Sequence, residues 1–275
     1  MTITLTSCRD DAPETSQRQL PSSTTTTVPA SGIPEIPATR VGTYSVGTNP
    51  KGVAALGRTV WVATNGDDAV LRIAPATGDV DRTVAVESGP IGLAVGPDAL
   101  WVTRYDAGLV AHLDPVSGRS VAEVAVGDGP YGVAVGGGAL WVAENGAGTV
   151  ARIDPVRHEV TGRIPVGANP FGVVYAAGSL WVTNDGSAAV TRVDPTTGRV
   201  LARIEVGGRP FALATAGADL WVSDPGAGRI WRIAPNGNRV TGAIDPGVAP
   251  WGISVTGTDL WVTSDAEGTV SHLRR

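Results

Sequence analysis

From residue 41 onward the chain is built of short apolar runs, four to eight residues long, each closed by Gly, Pro or an Asx residue. Around residue 140 these runs are Gly132–Val135, Leu140–Ala143, Thr149–Asp154 and Glu159–Val166, rich in Val, Ile, Trp and Thr. Such runs read as strands joined by tight turns. No window keeps a 3.6-residue apolar period over the length of a helix. The whole pattern returns every 40 residues. Tryptophan recurs at Trp61, Trp101, Trp141, Trp181, Trp221 and Trp261, and proline keeps step at Pro50, Pro90, Pro130, Pro170, Pro210 and Pro250. Four antiparallel strands per 40-residue unit, six times over, predict an all-β fold: a six-bladed β-propeller of four-stranded antiparallel blades.

The last unit stops at Arg275 without a fourth strand, while Val41-Gly42-Thr43-Tyr44-Ser45-Val46-Gly47 aligns with the fourth strand Leu201–Gly207. The N-terminal strand, residues 41–46, is therefore expected to complete the sixth blade and close the ring. Pro165 and Pro246 fall in fourth segments, which marks that strand as the outermost, because proline cannot donate to a ladder. The turn between third and fourth strands reads Asp114-Pro115-Val116-Ser117-Gly118 and Asp194-Pro195-Thr196-Thr197-Gly198, with glycine where a left-handed residue is needed. His158 occupies that slot in the third unit. The repeated tryptophan is expected to anchor the packing between blades. Arg72, His112, Arg152, Arg192, Arg232 and His272 share one third-strand slot, expected to hydrogen-bond between blades.

Composition adjusts this picture at the ends. Residues 36–275 form one array, and residues 1–35 form a separate segment. Within the latter, Leu5-Thr6-Ser7-Cys8 resembles a bacterial lipobox, whose cysteine carries lipid, followed by a Ser/Thr/Pro-rich tether such as Ser22-Ser23-Thr24-Thr25-Thr26-Thr27-Val28-Pro29. The expectation is a shortened signal remnant, a lipid anchor at Cys8 and an extracytoplasmic protein, membrane-anchored or secreted. A single cysteine leaves no internal disulfide and no cysteine metal site. The net charge of −5 and the dispersed arginines argue against nucleic acid as a partner. No run reaches the length of a membrane span.

Candidate chemistry lies where the repeat stops repeating. The residue after each framing proline is Lys51, Ile91, Tyr131, Phe171, Phe211 and Trp251 in turn. These side chains are expected around the axis, either as walls of a pocket or as a plug of the channel. Three residues after each tryptophan stand Thr64, Arg104, Glu144, Asn184, Asp224 and Ser264; next come Asn65, Tyr105, Asn145, Asp185, Pro225 and Asp265. The candidate ligand-binding set is therefore Lys51, Arg104, Tyr105, Tyr131, Glu144, Phe171, Asn184, Phe211, Asp224 and Trp251. Glu144, Asp224 and Arg104 could form a charged clamp or a rim ion pair. No catalytic residue and no metal ligand is assigned: a nucleophile with a nearby histidine is absent from the axial face. Gly136-Gly137-Gly138 falls in a hairpin rather than a phosphate loop.

The unit Gly-x-Pro-x-Gly-Val-Ala-x-Gly, then Leu-Trp-Val-x-Glu/Asn, then Val-x-Arg-Ile-Asp-Pro resembles the repeats of virginiamycin B lyase-like and YVTN-type propellers. Gly129–Val142 with Glu144 and Val150–Pro155 carry the likeness, and Trp181-Val182-Thr183-Asn184 comes nearest the YVTN form. The lyase resemblance implies a magnesium-assisted elimination that opens a cyclic depsipeptide, with an axial histidine as base. The chain's histidines are His112, His158 and His272, none at a predicted axial position. The reading is thus a non-enzymatic propeller without a cofactor, binding a small molecule, glycan or peptide at its aromatic axial face. Lyase-like elimination with magnesium is the alternative, and a structural or assembly scaffold the second.

Overall fold

The computed structural model describes residues 32–96 and 98–275, together with the backbone of Thr24–Thr26. Cys8 lies outside the described residues. The chain forms six sheets around one axis, each blade running from an inner first strand to an outer fourth strand. Blade 3 is representative: Pro130–Gly136, Ala139–Glu144, Thr149–Asp154 and Glu159–Pro165, antiparallel throughout. In blades 5 and 6 the first strands shorten to Leu213–Ala216 and Ile253–Thr256.

Ring closure follows the expected route. Thr39–Ser45 pairs antiparallel with Thr269–Arg274, the third strand of blade 6, and so supplies that blade's outer strand. The segment just before it, read from composition as tether, is not free. The Ile36 N–H donates to the Ala243 carbonyl at 2.7 Å, and the Ala243 N–H to the Pro34 carbonyl at 3.0 Å. Thr24–Thr26 pairs parallel with Ala202–Ile204 on the outer strand of blade 4. The outer strands offer unpaired N–H and C=O groups, so a polar segment can be held by backbone bonds alone.

The core is six inter-blade layers rather than one centre. Trp61 and Ala63 of blade 1 pack on Leu100, Val102, Ala111 and Leu113 of blade 2, and Trp101 packs likewise on Leu140 and Val142 of blade 3. Each repeated tryptophan is at most 3 % exposed, as an inter-blade anchor should be.

The shared Arg/His slot behaves differently from expectation. Its common contact is stacking on the tryptophan paired with it across the strands of its own blade: His112 on Trp101 at 4.4 Å, His272 on Trp261 at 4.2 Å, Arg192 over Trp181 at 5.0 Å. Only His112 and Arg192 also reach the next blade. Arg72 and Arg232 instead bond to Asp81 and Thr241 within their own blades. In blade 5, Arg275 takes the place over Trp221, at 4.7 Å. A flat cation or imidazole covers the indole face in either case, which is why both residue types serve.

Outer turns follow the expected chemistry. Asp114 Oδ1 accepts the Val116 and Ser117 N–H groups at 2.8 and 2.6 Å, and these bonds hold its carboxyl below the usual range. Gly118 then sits at φ 73°, and His158 at φ 58° in the corresponding place.

Candidate functional site

The loops leading into the first strands and the loops joining second to third strands meet at one end of the ring. Their backbones are tied together: the Asn65 N–H donates to the Asn49 carbonyl at 3.1 Å, and the Asn145 N–H to the Gly129 carbonyl at 2.9 Å. At the axis on this end the post-proline residues converge. Lys51, Ile91, Tyr131, Phe171, Phe211 and Trp251 surround a cavity of about 60 Å³.

That volume suits about two water molecules, not an engulfed ligand. The rings fill the axis themselves. Phe171 and Phe211 stack with centroids 4.2 Å apart, Tyr131 meets Phe171 edge-on at 4.6 Å, and Trp251 meets Phe211 edge-on at 4.2 Å. Phe211 and Ile91 are buried, whereas Tyr131, Phe171 and Trp251 stay half-buried. Edge-to-face and offset contacts suit ring quadrupoles, so the cluster is a rigid floor. Below it the channel widens to about 270 Å³, lined by first-strand residues such as Val133, Val173 and Ile253.

The floor is held by a girdle of hydroxyls two residues after the tryptophans. Thr103 accepts the Gly92 N–H at 2.7 Å and donates to the Tyr131 carbonyl of the next blade at 2.6 Å. Thr183 and Thr263 make the same bridge to the carbonyls of Phe211 and Lys51, at 2.5 and 2.6 Å, and Ser223 bridges to that of Trp251. The position after each floor residue must be small for the same reason. A Cβ on Gly92 would lie 2.1 Å from the Tyr131 carbonyl oxygen.

The polar candidates divide. Tyr105 stands on the rim, its ring edge-on to Tyr131 at 5.4 Å. Arg104, Glu144, Asn184 and Asp224 turn away from the axis into the seams between blades. Glu144 is wholly buried, accepting from Thr149 Oγ1 at 2.5 Å and from Arg163 Nε at 3.1 Å. Asp224, also wholly buried, accepts from the Arg209 and Ala227 N–H groups at 2.7 and 2.9 Å and from Trp231 Nε1 at 3.0 Å. Asn184 accepts from Thr191 Oγ1 at 3.1 Å, and Arg104 donates to the Glu87 carbonyl at 2.8 Å and pairs with Glu123. These four engage separate local partners and form no common clamp.

Alternation along the second strand explains the division. Glu144 lies on the same strand face as Leu140 and Val142, which pack on blade 2, so its carboxylate enters that seam. The residue one further on has left the strand and returns toward the axis. Asp265 and Asp185 occupy this position, bound to Lys51 Nζ at 2.8 Å and to Arg209 Nε at 3.0 Å. Sequence reading passed over Asp185, Asp265 and Arg209 as site residues. The period of two, counted from each tryptophan, was the available signal.

The floor's one phenol carries no charge. Tyr131 is pushed up to about 12, by burial first and then by neighbouring Tyr105 and Asp265, and so stays a neutral phenol. Among the described residues, no histidine touches the floor and no three His, Cys, Asp or Glu side chains converge as metal ligands. Such a surface can stack, hydrogen-bond and attract charge.

The profile of the virginiamycin B lyase family matches residues 36–273. No curated protein sequence matches the chain. Among solved structures, a catalytically inactive histidine-to-alanine virginiamycin B lyase from Staphylococcus aureus with quinupristin is similar at 22 % identity and TM-score 0.66, over 83 % of this chain and 81 % of that one. A streptogramin B lyase structure is similar at 18 % identity and TM-score 0.64, over 85 % and 96 % of the two chains. Hydrazine synthase of Kuenenia stuttgartiensis is similar at 17 % identity and TM-score 0.66, over 82 % and 96 %. At these identities the likeness is one of fold.

Proposed function

The chain belongs to the virginiamycin B lyase family, and from that premise and its axial geometry we propose a non-enzymatic, extracytoplasmic propeller that holds a small molecule, glycan or peptide against its aromatic floor. One observation carries the reading: half-buried Tyr131, Phe171 and Trp251 present ring surface at the axial end where loops of all six blades meet. The floor is too shallow to enclose a ligand, so the ligand lies across it and contacts the rim at Tyr105, Asp185 and Asp265. Aromatic surface with a few placed polar groups is the ordinary makeup of such sites. The extracytoplasmic assignment is supported by the lipobox-like Leu5–Cys8 stretch and the Ser/Thr/Pro composition that follows it.

The test is a thermal-shift screen of glycans, depsipeptides and cell-wall fragments on wild type and Trp251→Ala. A true ligand at a hundred times its Kd raises wild-type stability by about 2.7 kcal/mol and leaves the variant unmoved. A ligand that stabilises both equally binds elsewhere and sinks the axial reading.

Family membership favours a second reading, elimination on a cyclic depsipeptide. The carboxylates near the axis do not fit a magnesium ion: Glu144 and Asp224 are consumed by seam hydrogen bonds, and Asp185 and Asp265 by Arg209 and Lys51. Mass spectrometry of a streptogramin B depsipeptide incubated with the protein and magnesium decides the matter, because linear product would replace binding by turnover.

A further inference from the structure

Lys51 is the chain's only lysine, and it stands where the other blades carry Ile91, Tyr131, Phe171, Phe211 and Trp251. Its ammonium lies 3.7 Å from the centroid of a Trp251 ring and 2.8 Å from Asp265 Oδ2. The side chain is only 11 % exposed, and its carbonyl is pinned by Thr263. An ammonium gives up hydration only where an aromatic face and a carboxylate replace it, and here both do. The floor is therefore already a cation seat, filled by a residue of the protein itself.

The surrounding loops share this polarity. Asp67, Asp106, Asp128, Asp185 and Asp265 lie in the loops of the axial end, against Lys51 and Arg209 as the cations nearest the floor, each paired with one of those carboxylates. Turns at the opposite end mix both signs, Arg119, Arg157 and Arg199 standing with Asp114, Asp154 and Asp194. A field of one sign over a low-dielectric floor concentrates ligands of the other sign. The Tyr131 phenol, neutral at physiological pH, adds ring surface and a donor without adding charge.

We propose that the axial floor selects cationic ligands, small molecules or peptides bearing an alkylammonium group, and that Lys51 is a resident competitor displaced from Trp251 when such a ligand arrives. The inference rests on the axial-site reading above and names the ligand chemistry of that same site. A ligand ammonium would take the seat over Trp251 beside Asp265, its apolar body lying on Tyr131 and Phe171. Lys51 sets the threshold: a weak cation fails to displace it, and a ligand with added ring contacts succeeds.

The experiment is calorimetric titration of the full chain with choline and with its neutral isostere 3,3-dimethylbutan-1-ol, on wild type, Lys51→Met, Asp265→Asn and Trp251→Leu. Choline should bind Lys51→Met about tenfold tighter than wild type, because the competitor is gone. It should bind that variant about tenfold tighter than the isostere does, a ratio in keeping with a partly desolvated cation–π contact. In Lys51→Met, adding Asp265→Asn should weaken choline and leave the isostere unchanged. Thermal melts of each variant separate loss of the site from loss of the fold. Equal affinity for choline and isostere overturns the inference, as does tighter Trp251-dependent binding of benzoate. A neutral glycan that binds in a Trp251-dependent way, alongside equal affinity for choline and isostere, keeps the axial site and removes its cation preference. Failure of every probe to respond to Trp251→Leu removes both.

Discussion

Two seams of the ring use the same contact with different chemistry. Between blades 4 and 5, Arg192 lies over Trp181 and donates to Ser179 Oγ at 2.9 Å, to Asn238 Oδ1 at 3.2 Å and to the Pro235 carbonyl at 3.3 Å. Between blades 2 and 3, His112 lies on Trp101, and its Nδ1 is 3.0 Å from His158 Nε2. Asn238 and His158 occupy the same left-handed turn position, at φ 46° and 58°, where Gly118 and Gly198 stand in other blades. A side chain in that conformation costs about 1 kcal/mol or more, so each needs a contact to offset it. Asn238 finds a permanent cation. His158 finds another imidazole, and one bond between two rings requires that one nitrogen keep a free lone pair. One seam is indifferent to pH and the other is tied to it.

The largest expected effect comes from breaking the charged seam. Arg192→Met should destabilise the protein by about 2–3 kcal/mol, since charge-assisted bonds are lost and buried Ser179 is left without a partner. Urea unfolding at pH 5 and pH 8 should show the same loss at both. A loss that varies with pH would dissolve the contrast between the seams.

The second effect is pH dependence at the histidine seam. Burial first, and then His158, hold His112 below its ordinary value, against opposing pulls from the Asp98 carbonyl and the Asp114 carboxylate. The unfolded chain therefore binds the proton more readily. The seam's contribution is whole above about pH 6.5 and declines as the pH falls through that value toward the folded one. Melting temperatures of wild type and His158→Asn, taken from pH 8 to pH 5, should converge or cross as the pH falls, because asparagine accepts or donates without titrating. Parallel curves would show that His158 plays no part.

Much of this was legible in the sequence, and the reason is repetition. Trp61 to Trp261 and Pro50 to Pro250 record one packing solution six times, so blade count, strand order and closure by the N-terminal strand all followed. The position after proline likewise gave the floor residues. Closure of the floor was not legible, because whether Phe171 and Phe211 meet depends on ring radius and inner-strand stagger, which a one-dimensional period does not record. Nor were the roles of Glu144 and Asp224 apparent. Both break the repeat, as ligand residues do, yet each does so to satisfy neighbours peculiar to its seam, Arg163 in one case and Trp231 in the other.

The smallest effect sharpens the seam comparison by construction. Gly198→Asn would give the seam between blades 3 and 4 the residue that Asn238 supplies elsewhere, within reach of Arg152. A Cβ there meets only Ile164, at 3.4 Å, and asparagine tolerates the left-handed turn. A gain of a few tenths of a kcal/mol, about the lower end for a surface hydrogen bond, should appear as a raised urea midpoint. A loss would mean that the clasp needs the particular tilt of its own two blades.

The closing blade also sets an order in time. Its third strand, Thr269–Arg274, lies between Asp259–Ser264 and Thr39–Ser45, and Thr43 meets Ser271 across 228 residues of chain. When the chain emerges from its N-terminal side, Thr39–Ser45 appears early and has no partner until Thr269–Arg274 follows. Blades 1 to 5 can form in sequence as they appear, but the ring shuts in one late event. Until then Thr39–Ser45 is an unpaired edge exposed to solvent and to other chains, so the open ring is most vulnerable to wrong partners just before Thr269–Arg274 arrives.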